Sequence, residues 1–170
     1  MAKDILKHLG ILFILLILQL VIFNNIQISG FINPYIYLLF ILFLPYETPG
    51  WLLLILGFIA GLIVDTFMNT FGVHSSATLF MAFLRPYVLD ILIDRNDSGQ
   101  KGSPTMELNG LGWIIRYTLV LVFAHHFFLF FIEVFSFTNF FLTLLRVILS
   151  TLATTLFIVI IQFLTISKNK

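Results

Sequence analysis

Few side chains in this sequence can do chemistry, and most of them interrupt long apolar stretches. Asp65, Arg85, His125, His126, Glu133 and Arg146 each lie within or at the edge of a run of aliphatic and aromatic residues. An ionisable group in such a setting is expensive to keep, so each is a default functional candidate. Gly57, Gly61 and Asp65 are spaced i, i+4, i+8, which places them on one stripe of a helix. Two glycines on a stripe let a neighbouring backbone approach closely. The stripe reads either as a contact site for a partner or ligand, ending in a carboxylate, or as an internal packing face with Asp65 near interfacial water.

Arg146 is expected to pair with Asp65 or Glu133, which sit at similar height in their helices, or to snorkel to the headgroups alone. Arg85 lies deep and is followed by Pro86, whose missing N–H and ring should kink its helix. Arg116 is close enough to the start of its helix to snorkel, and a pair with Asp90 is possible. His125 and His126 invite a metal or proton-relay reading. Adjacent helical residues point about 100° apart, however, so the two cannot easily share an ion. Neutral histidines hydrogen-bonded inside a bundle are the expectation, with no metal and no cofactor. No G-x-S-x-G, H-E-x-x-H or Walker loop is present, which argues against an enzyme. The Phe-rich run 123–141 is either lipid-facing surface or a groove for a partner helix.

The elements that must position these residues follow from composition. Of 170 residues, 60% are hydrophobic and only 10% charged. A soluble domain of this size has too small a core to hide that much apolar surface. The composition also excludes a disordered chain and a nucleic-acid-binding domain, and the absence of cysteine excludes a disulfide scaffold. What is left is a single-domain, all-α, polytopic transmembrane bundle. Six apolar runs are legible, at about 5–23, 34–46, 51–66, 76–93, 111–135 and 137–166. The first, with Lys3 and Lys7 at its start, lacks a small-x-small cleavage site and reads as a retained anchor. Pro34 and Pro45 bracket the second as a helix.

Charge placement sets the expected orientation. With the N-terminus inside, the inner segments carry Lys3, Lys7, Arg95, Lys101, Lys168 and Lys170, and the outer loops carry no Lys or Arg. Positive loops stay cytoplasmic, so both termini are expected there, together with a flexible loop over 94–110. The sequon Asn96-Asp97-Ser98 falls on that cytoplasmic side and reads as chance. The second and third runs are short, about 12 to 16 residues or roughly 18 to 24 Å. Two short spans are the expectation; the alternative is one re-entrant hairpin with Glu47 at its tip.

The order Asn33-Pro34, Leu44-Pro45, Gly57-x-x-x-Gly61-x-x-x-Asp65, Gly72-Val73-His74 and Arg85-Pro86-Tyr87 resembles the bacterial rod shape-determining family MreD. The resemblance covers about a third of the chain; the rest agrees in length and hydropathy. It implies a non-enzymatic subunit of the peptidoglycan elongation machinery in the cytoplasmic membrane. The implied partners are an MreC-like single-span protein and, through it, MreB, RodA and a transpeptidase. It also implies a helical organisation similar to the substrate-binding membrane subunits of vitamin transporters. Gly57, Gly61, Asp65 and Gly72 become signature positions under this resemblance, without being catalytic. Two other function classes stand beside the scaffold: a small-solute binding subunit using Asp65, His74, Glu133 and Arg146, and an intramembrane enzyme.

Overall fold

The computed structural model describes residues 2–24, 31–93, 102–135 and 139–168. Arg95, Lys101, Lys170 and the Asn96–Ser98 sequon lie outside the described residues, as do the side chains of Lys3, Lys7 and Lys168. The chain is all-helical. Its elements are α1 (Ala2–Leu18, continued by a π-helical turn Gln19–Phe23), α2 (Leu38–Leu42), α3 (Gly50–Met68), α4 (Val73–Leu92), α5 (Met106–Asn109), α6 (Leu111–Val134) and α7 (Phe140–Lys168).

Four helices, α3, α4, α6 and the Phe140–Ile166 part of α7, are long and apolar enough to cross a bilayer. The chain is therefore a membrane protein. Within the first helix, Gly10–Phe23 forms a shorter apolar stretch interrupted by Gln19. The third run is longer than its hydropathy suggests: α3 has 19 residues, about 28 Å, close to the thickness of the hydrocarbon core.

The second run departs most from expectation. It is not a proline-bracketed helix over 34–44. Only Leu38–Leu42 is α-helical, and Phe43 already leaves the helical region. Yet every residue from Tyr35 to Leu42 is at most 8% exposed. Irregular backbone at membrane depth is tolerated only where protein surrounds it, and here protein does.

The four long helices pack as a row: α3 on α4, α4 on α6, α6 on α7. The contacts Thr78–His125, Arg85–Tyr117 and Leu92–Trp113 run α4 and α6 antiparallel. The α3–α4 and α6–α7 connections thus share one end of the bundle, called here the connection end. α1 touches α2 and α3, and Phe23 meets Phe157 of α7 edge-on, so the first helix closes the row. The buried run 33–46 fills the space that results. Tyr35 lies beside His126 and Thr154, Leu42 beside Tyr117, and Tyr46 beside Asn109. From His126 to Tyr117 is nine residues of α6, about 13 Å. The run covers that distance in seven residues, so it is more extended than an α-helix.

The segment 102–110 is not wholly irregular. It holds α5, anchored where Gln162 Oε1 accepts from the Met106 N–H at 3.3 Å. Glu47 is exposed and faces the Gly102 N–H at 3.3 Å.

Candidate functional site

The first polar centre forms at the α3–α4 connection. Asn69 ends α3 in the left-handed region (φ 54°), and Gly72 opens α4 there as well (φ 81°), so the chain reverses within four residues. That reversal brings the start of α4 over the last turn of α3. Asp65 then accepts five hydrogen bonds. They come from the Thr70 hydroxyl (2.6 Å), the His74 N–H (2.9 Å) and ring Nδ1 (3.1 Å), and the Ser75 N–H (2.9 Å) and hydroxyl (2.7 Å). His74 and Ser75 are the second and third residues of α4, whose N–H groups have no partner within the helix. Asp65 is thus the N-cap of α4, supplied by the preceding helix rather than by Gly72, which has no side chain to do it. The carboxylate is 3% exposed and its lone pairs are taken.

Gly57 and Gly61 lie on the same seam. A Cβ on Gly61 would sit 2.6 Å from the His74 carbonyl oxygen and the Ser75 nitrogen, and closer still to the Ser75 Cα. One on Gly57 would meet the Ala82 Cβ at 3.0 Å and the Thr78 carbonyl oxygen at 3.3 Å. The stripe is occupied by α4 of the same chain, so a helix from another protein cannot lie on it while this fold holds.

The second centre is Arg85, 2% exposed on α4. Among the described residues no carboxylate pairs with it. Its Nε donates to the Tyr117 hydroxyl (3.0 Å) and the Leu42 carbonyl (3.4 Å). Its Nη2 donates to the carbonyls of Leu42 (3.5 Å) and Leu44. Tyr117 donates in turn to Leu42 O at 2.8 Å. These carbonyls close the C-terminal end of α2, where orphan acceptors and the negative end of the helix dipole favour a cation. Arg85 and Tyr117 therefore fasten the lower end of the buried run. Pro86, the next residue, lies within α4 and is exposed.

The upper end is fastened by groups that hydropathy does not flag. The π-helical turn aims Gln19, fully buried, at the unwound backbone. Its Oε1 accepts from the N–H groups of Ile36 (2.8 Å) and Tyr37 (3.5 Å), and its Nε2 donates to Pro34 O (3.2 Å). From α7, the Ser150 hydroxyl accepts from the Asn33 N–H and Thr154 Oγ1 from the Tyr35 N–H, each at 3.1 Å. Side chains thus do for this run what i→i−4 bonds do for a helix. The buried face of α7 is correspondingly polar: Thr143, Ser150, Thr151, Thr154, Thr155 and Gln162. The Ser150-Thr151 and Thr154-Thr155 pairs, one turn apart, are the signal that would have exposed it.

The histidines sit between the two ends. His126 Nδ1 lies 2.8 Å from Val122 O, a pure acceptor, so Nδ1 carries the proton. Nε2 faces Thr154 Oγ1 at 3.3 Å. His125 Nε2 faces the hydroxyls of Tyr37 (3.1 Å) and Thr78 (3.3 Å). The Tyr35 ring touches His74, His125 and His126 at centroid distances of 5.3, 6.0 and 5.4 Å. Among the described residues no three His, Asp or Glu side chains gather as a metal-ligand set.

Arg146 pairs with Glu133 (Nη1–Oε2, 3.1 Å), and its guanidinium carbon lies 4.2 Å from the Phe130 ring centre. It makes no ion pair with Asp65. Arg116 is exposed and bonds the Gly112 carbonyl of its own helix (3.2 Å), not Asp90. In the Phe-rich run, Phe123, Phe127, Phe135 and Phe141 are exposed, whereas Phe130 is fully buried.

The residues singled out from sequence therefore fall in three places. Gly57, Gly61, Asp65 and Gly72 share the α3–α4 seam. Glu133 and Arg146 share the α6–α7 end. Arg85 stands apart beneath α2. No family model, no curated protein and no solved structure matches this chain.

Proposed function

We propose that this chain is a non-enzymatic scaffold of the MreD kind. In this reading it spans the bacterial cytoplasmic membrane with both termini inside and holds an MreC-like single-span protein. Through that partner it connects to MreB, RodA and a transpeptidase of wall elongation. The buried run 33–46 counts as the second of six crossings, threaded through protein rather than lipid.

The observation that carries this reading is the filled interior. The space enclosed by α1, α4, α6 and α7 is taken by Tyr35–Leu42, whose backbone pairs with Gln19, Thr154 and Tyr117 around it. A solute-binding subunit needs polar groups held open for its guest. Here Asp65, Arg85 and Gln19 spend theirs on the chain itself. A protein so arranged acts through its surfaces.

The test is depletion in the source organism, provided it is a rod with no second copy. Depleted cells should round up, and the MreC-like protein should co-purify with the tagged chain from solubilised membranes. Cells that keep rod shape and normal wall-precursor incorporation would sink the scaffold reading.

A further inference from the structure

A hollow of about 440 Å³ opens at the connection end, lined by Leu62, Asp65, Thr66, Asn69, Thr70, Phe71 and Gly72. Its polar lining is strongly biased. The Thr66 hydroxyl spends its proton on Leu62 O (2.8 Å) and so turns lone pairs outward, whereas the Thr70 hydroxyl gives its proton to Asp65 Oδ1 (2.6 Å) and faces the His74 ring Nδ1 at 3.0 Å. The N–H groups of Asn69 and Thr70 both go to Asp65 O. The Thr66 carbonyl is therefore left without a helical donor, as expected at a helix C-terminus. The exposed Asn69 carboxamide can present its oxygen. Beneath lies the Asp65 carboxylate, saturated but adding negative potential. The rim is apolar: Leu62 is 45% exposed and Phe71 wholly exposed.

An acceptor-rich hollow with an aromatic rim calls for a cation, and among the described residues none is free to fill it. Arg146, the basic residue nearest the connection end on the described helices, is engaged with Glu133, and Arg85 and Arg116 lie toward the opposite end. We propose that the hollow receives a lysine or arginine side chain from the extracytoplasmic juxtamembrane stretch of the scaffold's partner. The stem would lie along Leu62 and the charged head among the Thr66 and Asn69 oxygens, with Phe71 in cation–π range. This rests on the scaffold reading above and names one contact within it.

The test uses the full chain in nanodiscs of phosphatidylcholine and phosphatidylglycerol, with the full-length MreC-like protein as titrant. Thr66 is exposed, so a long side chain there keeps the fold; an unchanged unfolding temperature checks this. Thr66→Lys places the chain's own ammonium in the hollow and should weaken binding by about tenfold or more. Thr66→Gln, similar in bulk and uncharged, should stay within about threefold. If Thr66→Lys binds like the wild type, the hollow is not the contact, although the scaffold stands. Equal losses from Lys and Gln would mean that bulk decides, overturning the cation assignment. Unchanged partner binding, with Thr66→Lys instead expelling phosphatidylethanolamine from added lipid by native mass spectrometry, would make the hollow a lipid site and overturn the proposal. A wild type that binds no partner at all removes the scaffold reading itself.

Discussion

Replacing Gly61 with alanine adds one methyl group and should cost far more than one methyl group. The new Cβ would meet the backbone of α4 at 2.6 Å from His74 O and Ser75 N, whereas ordinary contact begins at 3.4 Å. The obstacle is main chain, which no rotamer change can move aside. The Ser75 Cα lies closer still, so α3 and α4 must separate by about 1 Å at this level. A gap of that size forfeits a quarter to a half of the attraction at each contact it opens. Overpacking of this kind costs about 1 to 3 kcal/mol. Asp65 lies one turn further along the same seam, and its bonds to the His74 and Ser75 N–H groups would stretch with it. Two such bonds add about 2 kcal/mol. Alanine's helix propensity returns up to about 1 kcal/mol, so the net loss is about 2 to 5 kcal/mol. Gly57→Ala meets its nearest neighbours at 3.0 and 3.3 Å and should lie within about 1 kcal/mol of the wild type. Gly10→Ala, with nothing within 4 Å, should be neutral or stabilising by up to about 1 kcal/mol. Reversible unfolding in mixed micelles, on purified full-length variants, reads all three. Leu62→Ala, one residue along and on the exposed side, is the control. A Gly61→Ala protein as stable as the wild type would refute the seam. A stable Gly61→Ala protein that loses its partner would show the stripe to be a docking face instead.

Arg85→Met keeps the bulk but leaves the Leu42 and Leu44 carbonyls without their cation, and should cost about 2 to 4 kcal/mol in the same assay; Tyr117→Phe, removing one donor to Leu42, should cost about 1 kcal/mol. Equal effects from the two would mean that the guanidinium is not what closes α2. Gln19→Leu orphans the Ile36 N–H and the Pro34 carbonyl in a dry core and should cost about 2 to 4 kcal/mol, with Gln19→Glu, which keeps the acceptor, falling between; hydrogen exchange at Ile36 should quicken first. Glu133→Gln and Arg146→Gln should couple by about 0.5 kcal/mol in a double-mutant cycle, a small value because the side chains are 41% and 22% exposed. Asp65→Asn and Arg146→Gln should be additive, and coupling between them would contradict the pairing described.

How far the sequence reveals this depends on whether the decisive contact is local. The Gly57, Gly61, Asp65 stripe is legible because helical periodicity alone puts the three on one face. What covers the stripe is not legible, since two glycines invite any backbone; the tight reversal at Asn69–Gly72 selects α4. The four long helices are legible from hydropathy to within a few residues. The run 34–44 is not, because a buried irregular strand of chain and a short spanning helix are equally apolar. Its conformation is decided by Ser150 and Thr154, more than a hundred residues away in sequence, and by Gln19. Arg85 stands out as buried, but the carbonyls it serves belong to α2, whose position no local pattern gives.

The placement of polar groups also bears on what kind of membrane protein this is. Binding a solute within a bundle means leaving polar groups underused until the guest arrives, at a cost in stability. In this chain the costliest interior groups are committed: Asp65 to the start of α4, Arg85 to the end of α2, Gln19 and Thr154 to the unwound backbone between. Among the described residues, His74 Nε2, His125 Nδ1 and the hydroxyls of Thr118, Thr151 and Thr155 are buried without a hydrogen-bond partner, but they are scattered rather than gathered about one cavity, and both rings pack against Tyr35. Capacity to bind something else is instead at the surface, in the acceptor-rich hollow beside Phe71 and at the half-exposed Glu133–Arg146 pair, both toward the connection end. A partner gripping this bundle through polar contacts should therefore do so there, and substitutions that weaken the complex without unfolding the chain should cluster at residues 62–72 and at 133 and 146 rather than along the Gly57–Gly61 stripe.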